Sequence, residues 1–396
     1  MIGPSKVFLV AGEVSGDQLG AGLMRALRAR LGNVAFEGVG GHAMEREGLR
    51  SLFPLSDIAV MGITAVLARF PSIYRRGLAV VAAITADPPD VLVIIDSPEF
   101  THAVARRVRK RLPALPIVNY VSPSVWAWRP GRARRMRAYV DHVLALKPFE
   151  PEAHRRLGGP PCTYVGHPSV ERLGELRPRT GERSALDTER LTILVLPGSR
   201  QAEIARLMEP FGAALARLRD GGGRPFDLVL PVVPHLAAEI RARAASWPVA
   251  PLIVEGEPGK LAAFRRAHVA LAASGTVTLE LALAGVPMVV AYKLSKLEEQ
   301  LRFLIKVPSI VLANLILGET VIPEYVQGDC TPNKLAAALR PLMHDTPDRR
   351  RQVEAFGRLD DIMDADAPTS PSERAAAIVI EEARRGSAPV SPATAR

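Results

Sequence analysis

Short apolar runs alternate with longer amphipathic stretches along this chain, a pattern that predicts parallel sheets flanked by helices. Residues 7–11, 35–39, 91–95 and 117–121 read as strands, with a helix at 20–31 between the first two. The run VLVII at 91–95 is unbroken and mostly β-branched, as suits a central strand buried on both faces. A second series follows a Pro-, Arg- and Gly-rich stretch at 175–190. Its strands are expected at 192–196, 226–232, 252–255, 269–272 and 287–292, and its helices at 202–218, 237–245 and 276–284. The expected class is therefore α/β, with two Rossmann-like doubly wound domains at 1–174 and 191–345 and a linker at 175–190. Residues 346–385 are expected to form helices that pack back on the first domain or on a partner chain. The last eleven residues, GSAPVSPATAR, lack apolar periodicity and are expected to be disordered.

Candidate chemistry sits where these strands end. The run 91–95 stops on Asp96 and the chain breaks at Pro98. Ligands of open α/β sheets bind beyond the carboxyl ends of strands, so Asp96 stands where a general base or a sugar-binding carboxylate belongs. The plainer reading is an Asp that caps the helix starting near Glu99. After the first strand, AGEVSGDQLGAGL lets backbone approach a ligand and offers Glu13, Ser15 and Asp17 at a helix amino end. In the second series, Gly198 and Ser199 of PGSR can present N–H groups at a helix start, and Arg200 adds a cation, so an anion is the natural guest. In SGTVTLE, Ser274, Gly275 and Thr276 open a helix, and Glu280 lies one turn in, where a carboxylate could accept both hydroxyls of a ribose. Each turn alone is an ordinary cap; three at equivalent strand ends argue for binding.

Two other patterns carry less. Gly38, Gly40 and Ala43, with Asp57 further on, match a dinucleotide fingerprint but follow the second strand rather than the first. Asp364 and Asp366 form an Asp-x-Asp pair without partner ligands, and the histidines show no metal-ligand spacing.

Composition narrows the class. At 396 residues, 48% hydrophobic and 5% aromatic, the chain suits an Ala/Val/Leu-rich α/β enzyme. Cys162 and Cys330 are too few and too far apart for a disulfide framework, so a reducing compartment is expected, and no signal peptide is read at the amino end. The longest apolar tract, 269–290, is interrupted by Ser274, Gly275, Glu280 and Pro287 and does not read as a membrane span. The stretch 58–76 combines Val60, Met61, Ile63, Val66, Leu67 and Phe70 with Arg69, Arg75 and Arg76; it suits a membrane interface, or else a core helix with a basic edge. The net charge of +10 is concentrated in clusters at 106–111 and 129–137. With no zinc-finger spacing and no interleaved aromatics, nucleic acid is not the expected partner; an anionic membrane or substrate is.

The segments AGEVSGDQLGAGL, AVMGI, IDSPEF, YVSPSVWAW, VGHP, LPGSR, ASGTVTLE and VPMVVAYKL, with the asparagine of VLANLI, occur in one order from about residue 7 to 341. Together they resemble the lipid-A-disaccharide synthase family, membrane-associated glycosyltransferases of Gram-negative bacteria. Ser97 and Glu99 stand where the family's DAPDF form has alanine and aspartate, which leaves Asp96 in place. The resemblance implies a GT-B fold, two domains facing a cleft, and transfer of a 2,3-diacylglucosamine unit from UDP to 2,3-diacylglucosamine 1-phosphate, with no cofactor and no obligatory metal. It implies Asp96 as general base, Glu13, Ser15 and Arg200 as catalytic companions, and Gly198, Ser199, Arg200, Ser274, Gly275, Thr276 and Glu280 around UDP. Asn314 is expected to orient the sugar, and residues 60–70 to contact the cytoplasmic face of the inner membrane. A homodimer exchanging carboxyl-terminal elements is a further expectation. A soluble UDP-N-acetylglucosamine epimerase-like enzyme of the same fold is the alternative, since it shares Arg200, Ser274 and Glu280 but needs no apolar segment.

Overall fold

The computed structural model describes residues 3–59, 63–294 and 307–387, with backbone alone for 63–68 and 387. Val60, Met61 and residues 388–396 of the tail lie outside the described residues, as do the side chains of Ile63, Val66 and Leu67. The chain forms two compact units, one running to Pro168 and resuming at Ala367, the other spanning Ser169–Asp366.

The first unit is a seven-stranded, all-parallel sheet made of β1 (Lys6–Ala11), β2 (Ala35–Val39), β3 (Arg50–Ser51), β4 (Val91–Ile95), β5 (Ile117–Tyr120), β6 (His142–Ala145) and β7 (Cys162–Tyr164). Its order is β3-β2-β1-β4-β5-β6-β7. Alternate residues of β1 explain how two helical layers hold it. Val7, Leu9 and Ala11 face the helices Val14–Leu31 and Pro371–Ser387, while Phe8 and Val10 face Ile63–Ala86 and Pro98–Arg111. All five residues of β4 are buried, as a strand covered on both faces requires.

The second unit repeats the plan with six parallel strands: β8 (Leu191–Leu196), β9 (Phe226–Val232), β10 (Leu252–Glu255), β11 (Val269–Ala273), β12 (Met288–Tyr292) and β13 (Glu324–Val326), in the order β10-β9-β8-β11-β12-β13. Ile193 and Val195 pack on the helices Gln201–Asp220 and Pro332–Leu342. The α/β class with two Rossmann-like sheets is thus observed.

Chain winding reverses at β1/β4 in one sheet and at β8/β11 in the other. At such reversals, beyond the strands' carboxyl ends, open α/β sheets bind ligands.

Several expected boundaries shift for physical reasons. The first helix starts at Val14, six residues before the expected start, because Glu13 already takes up extended backbone and supplies its carbonyl to Asp17 N–H. Residues 175–190 are not a free linker. Arg183 donates to the carbonyls of Phe264, Ala284 and Gly285 and binds this stretch into the second unit. Residues 346–366 also belong to the second unit, while the helix Pro371–Ser387 packs on Val14–Leu31 of the first. Ile58, at the head of the expected interfacial segment, is 7% exposed and is core.

Candidate active site

In the first unit, the β1/β4 reversal brings Glu13, Ser15 and Asp96 together. Ser15 Oγ donates to Asp96 Oδ2 at 3.3 Å, Ser97 N–H to Asp96 Oδ1 at 2.8 Å, and Ser97 Oγ to Glu13 Oε1 at 3.1 Å. Asp96 (φ 54°) and Ser97 (φ 41°) both occupy the left-handed region, which costs energy for residues other than glycine and clusters at functional sites. Asp96 therefore does not simply cap the following helix; Ser97 is the residue at its start, and Asp96 is half-buried at the reversal. Gly12 is required here, since a Cβ on it would overlap the Ser97 side chain. Glu99, one turn on, is exposed and paired with Arg132 (2.5 Å) and Arg129 (3.6 Å). Burial of its carboxyl works upward, but these arginines hold it below the usual range. Asp17 is committed to the turn after β2 instead: it accepts from the N–H groups of Gly41 (2.8 Å), Ala43 (2.9 Å) and Met44 (3.0 Å). The dinucleotide-like turn is therefore filled by the protein's own carboxylate.

In the second unit, a cavity of about 590 Å³ opens at the β8/β11 reversal. It gathers Gly198, Ser199, Arg200, Ser274, Gly275, Thr276 and Glu280, which the sequence separates by up to 82 positions, together with Glu203, Glu257 and Lys260. Two of its details differ from expectation. The N–H groups of Ser199 and Arg200 are already taken by Glu203 Oε2 (2.9 and 3.3 Å), and the Arg200 guanidinium rests on Glu203 Oε1 at 3.2 Å while 57% exposed. Arg200 is thus an exposed cation already paired with a carboxylate. The open amino end is that of the helix Thr276–Leu283, where Ser274 Oγ donates to Ile310 O at 2.6 Å. Glu280 receives Lys260 Nζ at 2.9 Å, with Arg172 at 4.0 Å.

Comparison with known proteins identifies the family. The profile of the family described as lipid-A-disaccharide synthetase matches residues 7–376. The lipid-A-disaccharide synthase of Bradyrhizobium diazoefficiens is 58% identical over 383 residues, 96% of this chain and 97% of that protein. That of Nitrobacter hamburgensis is 58% identical over 378 residues, 95% of each. The chain belongs to the lipid-A-disaccharide synthase family. Among solved structures, Acinetobacter baumannii MurG (TM-score 0.58, 16% identity, 96% of this chain and 100% of that one) shares the fold. So does Methanocaldococcus jannaschii UDP-GlcNAc 2-epimerase in complex with UDP-GlcNAc and UDP (TM-score 0.55, 14% identity, 89% and 99%). These likenesses carry the fold alone, so the epimerase-like alternative has no support beyond architecture.

Membership of the lipid-A-disaccharide synthase family makes the remaining placements informative. Asn314 has no capacity left to orient a sugar. Its Nδ2 donates to Ile322 O and Glu324 Oε1 (2.9 and 2.8 Å), and its Oδ1 accepts from the N–H groups of Val321 and Ile322 (3.1 and 3.0 Å). It braces Glu324, which holds Ser309 and Ile310 N–H, and Ile310 in turn holds Ser274. In the motif YVSPSVWAW, Trp126 donates to Glu150 at 3.2 Å and meets Phe149 edge-on at 5.1 Å, while Trp128 lies under Arg129 at 4.8 Å. Sequence reasoning missed Ser97 and Lys260, whose partners Glu13 and Glu280 stand on other elements, and it missed Glu203 although the capping box this residue makes with Arg200 is a local pattern. Among the described residues, no three His, Cys, Asp or Glu side chains converge as a metal site, and no helix is long and apolar enough to cross a membrane.

Proposed function

We propose that the lipid-A-disaccharide synthase reaction is divided in this chain between Asp96 of the first unit and the β8/β11 cavity of the second. The family joins UDP-2,3-diacylglucosamine to 2,3-diacylglucosamine 1-phosphate, forming a β(1→6) disaccharide 1-phosphate and UDP. Asp96 takes the proton of the acceptor 6-hydroxyl as that oxygen bonds to the anomeric carbon, and the bond from the anomeric carbon to the diphosphate oxygen breaks with inversion. Glu13 and Ser15 hold the carboxylate and its neighbour in place. UDP sits in the cavity, its diphosphate at the amino end of Thr276–Leu283 with Ser274 and Gly275, and its ribose on Glu280. Arg200 swings from Glu203 to the diphosphate and stabilises the charge that develops as UDP leaves; Gly198 and Ser199 form the wall beside it.

The observation that carries this reading is Asp96 on a left-handed turn at the sheet reversal, held by Ser15 and by its own following N–H. Asp96→Asn is expected to lower turnover by roughly two to four orders of magnitude while UDP binding persists. Near wild-type turnover removes Asp96 from the mechanism. Arg200→Ala is expected to weaken both UDP binding and turnover; if it changes neither, the cation assignment is wrong.

Both substrates carry acyl chains, so the enzyme works at a lipid surface, for which we propose the cytoplasmic leaflet of the inner membrane. On the helix Ile63–Ala86, Phe70, Tyr74 and Leu78 are 58%, 46% and 37% exposed, one turn apart on a single face. Arg69 and Arg75 beside them are exposed as well. Such a stripe, apolar with cations alongside, suits insertion among anionic headgroups.

A further inference from the structure

The turn that carries Asp96 is not the only strained one at this sheet end. Val121, just past β5, has φ 77°, an outlier for a β-branched residue. The two turns adjoin: Ile95 and Tyr120 are in register, Asp96 N–H donates to Tyr120 O at 3.1 Å, and Val121 N–H donates to Leu144 O at 3.0 Å.

Two successive residues of the helix Pro98–Arg111 reach both turns. Thr101 Oγ1 shares its proton between Asp96 O (2.7 Å) and Ser97 O (3.1 Å). His102 lies 2.9 Å from Asn119 Oδ1 through Nε2 and 3.1 Å from the Tyr139 hydroxyl through Nδ1. Asn119 Nδ2 donates to Val121 O at 2.9 Å. Thr101, His102 and Asn119 are all buried, at 0%, 3% and 1% exposure.

The direction of this chain follows from its end. A carbonyl only accepts, so Asn119 turns its amide nitrogen to Val121 and its oxygen to His102. His102 must then carry its proton on Nε2, and bare Nδ1 accepts from Tyr139. Every donor points toward the strained carbonyl, an arrangement in which successive hydrogen bonds strengthen one another.

We propose that Thr101 and His102 are positioning residues for proton transfer at Asp96. Thr101 grips the Asp96–Ser97 turn directly, and His102, through Asn119, grips the neighbouring Val121 turn, so that both strand ends present their loops as one rigid piece. Neither residue touches substrate. The inference rests on the reading of Asp96 as general base.

The test uses the full chain with UDP-2,3-diacylglucosamine and the acylated acceptor in detergent micelles. Thr101→Val and His102→Leu are each expected to lower kcat at least about tenfold, with KM for both substrates within about twofold, because a misplaced base slows chemistry without removing binding contacts. His102→Gln keeps a donor toward Asn119 and is expected to restore most of the loss. Combining His102→Leu with Asn119→Leu should be no worse than the more damaging single change, since both cut one chain. Wild-type kcat in folded Thr101→Val and His102→Leu overturns the proposal, as does a loss that Gln does not rescue. If His102→Leu proves too unstable to assay, Thr101→Ser against Thr101→Val decides: Ser keeps the hydroxyl and should keep turnover, and equal kcat in the two overturns the role. Asp96→Asn run alongside separates the readings. Normal turnover there sinks the base assignment and the positioning role together, whereas loss there with none in Thr101→Val sinks positioning alone.

Discussion

Asp17 shows at the scale of one residue how a polar pattern can mislead. It stands among the glycines of a ligand-like turn, yet it is 5% exposed and spends both oxygens on three backbone N–H groups of the turn after β2. Removing it leaves those donors buried without a partner. Asp17→Ala is expected to destabilise the first unit by about 3–5 kcal/mol, from charge-assisted bonds of roughly 1.5–3 kcal/mol each that do not add fully. Asp17→Asn keeps an acceptor and should lose less than half of that. Urea midpoints of the two variants check the order, and a mild Ala variant would show that water replaces the carboxylate. The turn that carries Gly40 and Ala43 does hold a carboxylate, through the N–H groups of Gly41, Ala43 and Met44, but that carboxylate is the protein's own. Asn314 carries the same lesson: its residue type was legible, while its four hydrogen bonds depend on where Glu324 and residues 321–322 arrive.

Among elements, the helix Pro98–Arg111 couples stability to pH through His102. Burial lowers this imidazole first, the Asn119 hydrogen bond opposes, and Arg132 and Arg106 lower it again, bringing it from 6.5 to about 4. The folded value lies below the unfolded one, so the unfolded chain binds the extra proton between them. Stability is complete above pH 6.5 and is lost as pH falls toward 4, by about 3 kcal/mol for this group. Chemical denaturation at pH 7 and pH 5 should show the wild type losing more than His102→Gln; an equal loss would mean that His102 stays uncharged in both states. The long central strands and the turns after β1, β4, β8 and β11 were legible because an apolar run and a Gly-rich break are local. The strands β3, β6, β7 and β13 were not. They span two to four residues, and their strand character comes from the neighbour that supplies their hydrogen bonds rather than from their own pattern.

For the whole molecule, the net charge of +10 and the stripe Phe70, Tyr74 and Leu78 bear on where it works. Not every cation is available to a surface. Arg109 is bonded to Asp141, Arg132 to Glu99 and Arg76 to Asp57, and Arg107 lies over the Tyr74 ring at 5.2 Å. Arg69 and Arg75 flank the stripe, and each cation near an anionic leaflet contributes about 1 kcal/mol. Replacing Phe70, Tyr74 and Leu78 with serine should abolish flotation with anionic vesicles, and salt should weaken the wild type. A folded triple variant that floats as the parent does would rule this stripe out as a membrane contact.

The sequence by itself determined the α/β class, the principal strands, the ligand-type turns and, through motifs in one order, the family. These follow from residues close together in the chain, where apolar runs, glycine turns and fixed spacings act locally. Only the tertiary structure decided the strand order that brings Glu13 and Ser15 to Asp96, and the return of the last helix to the first unit, where Glu382 meets His142 from 240 positions away. It also decided that Lys260 meets Glu280 and that Asn314 serves the fold. Such pairings are settled by which surfaces pack, because a side chain's hydrogen-bonding capacity is spent on whatever polar group burial leaves beside it.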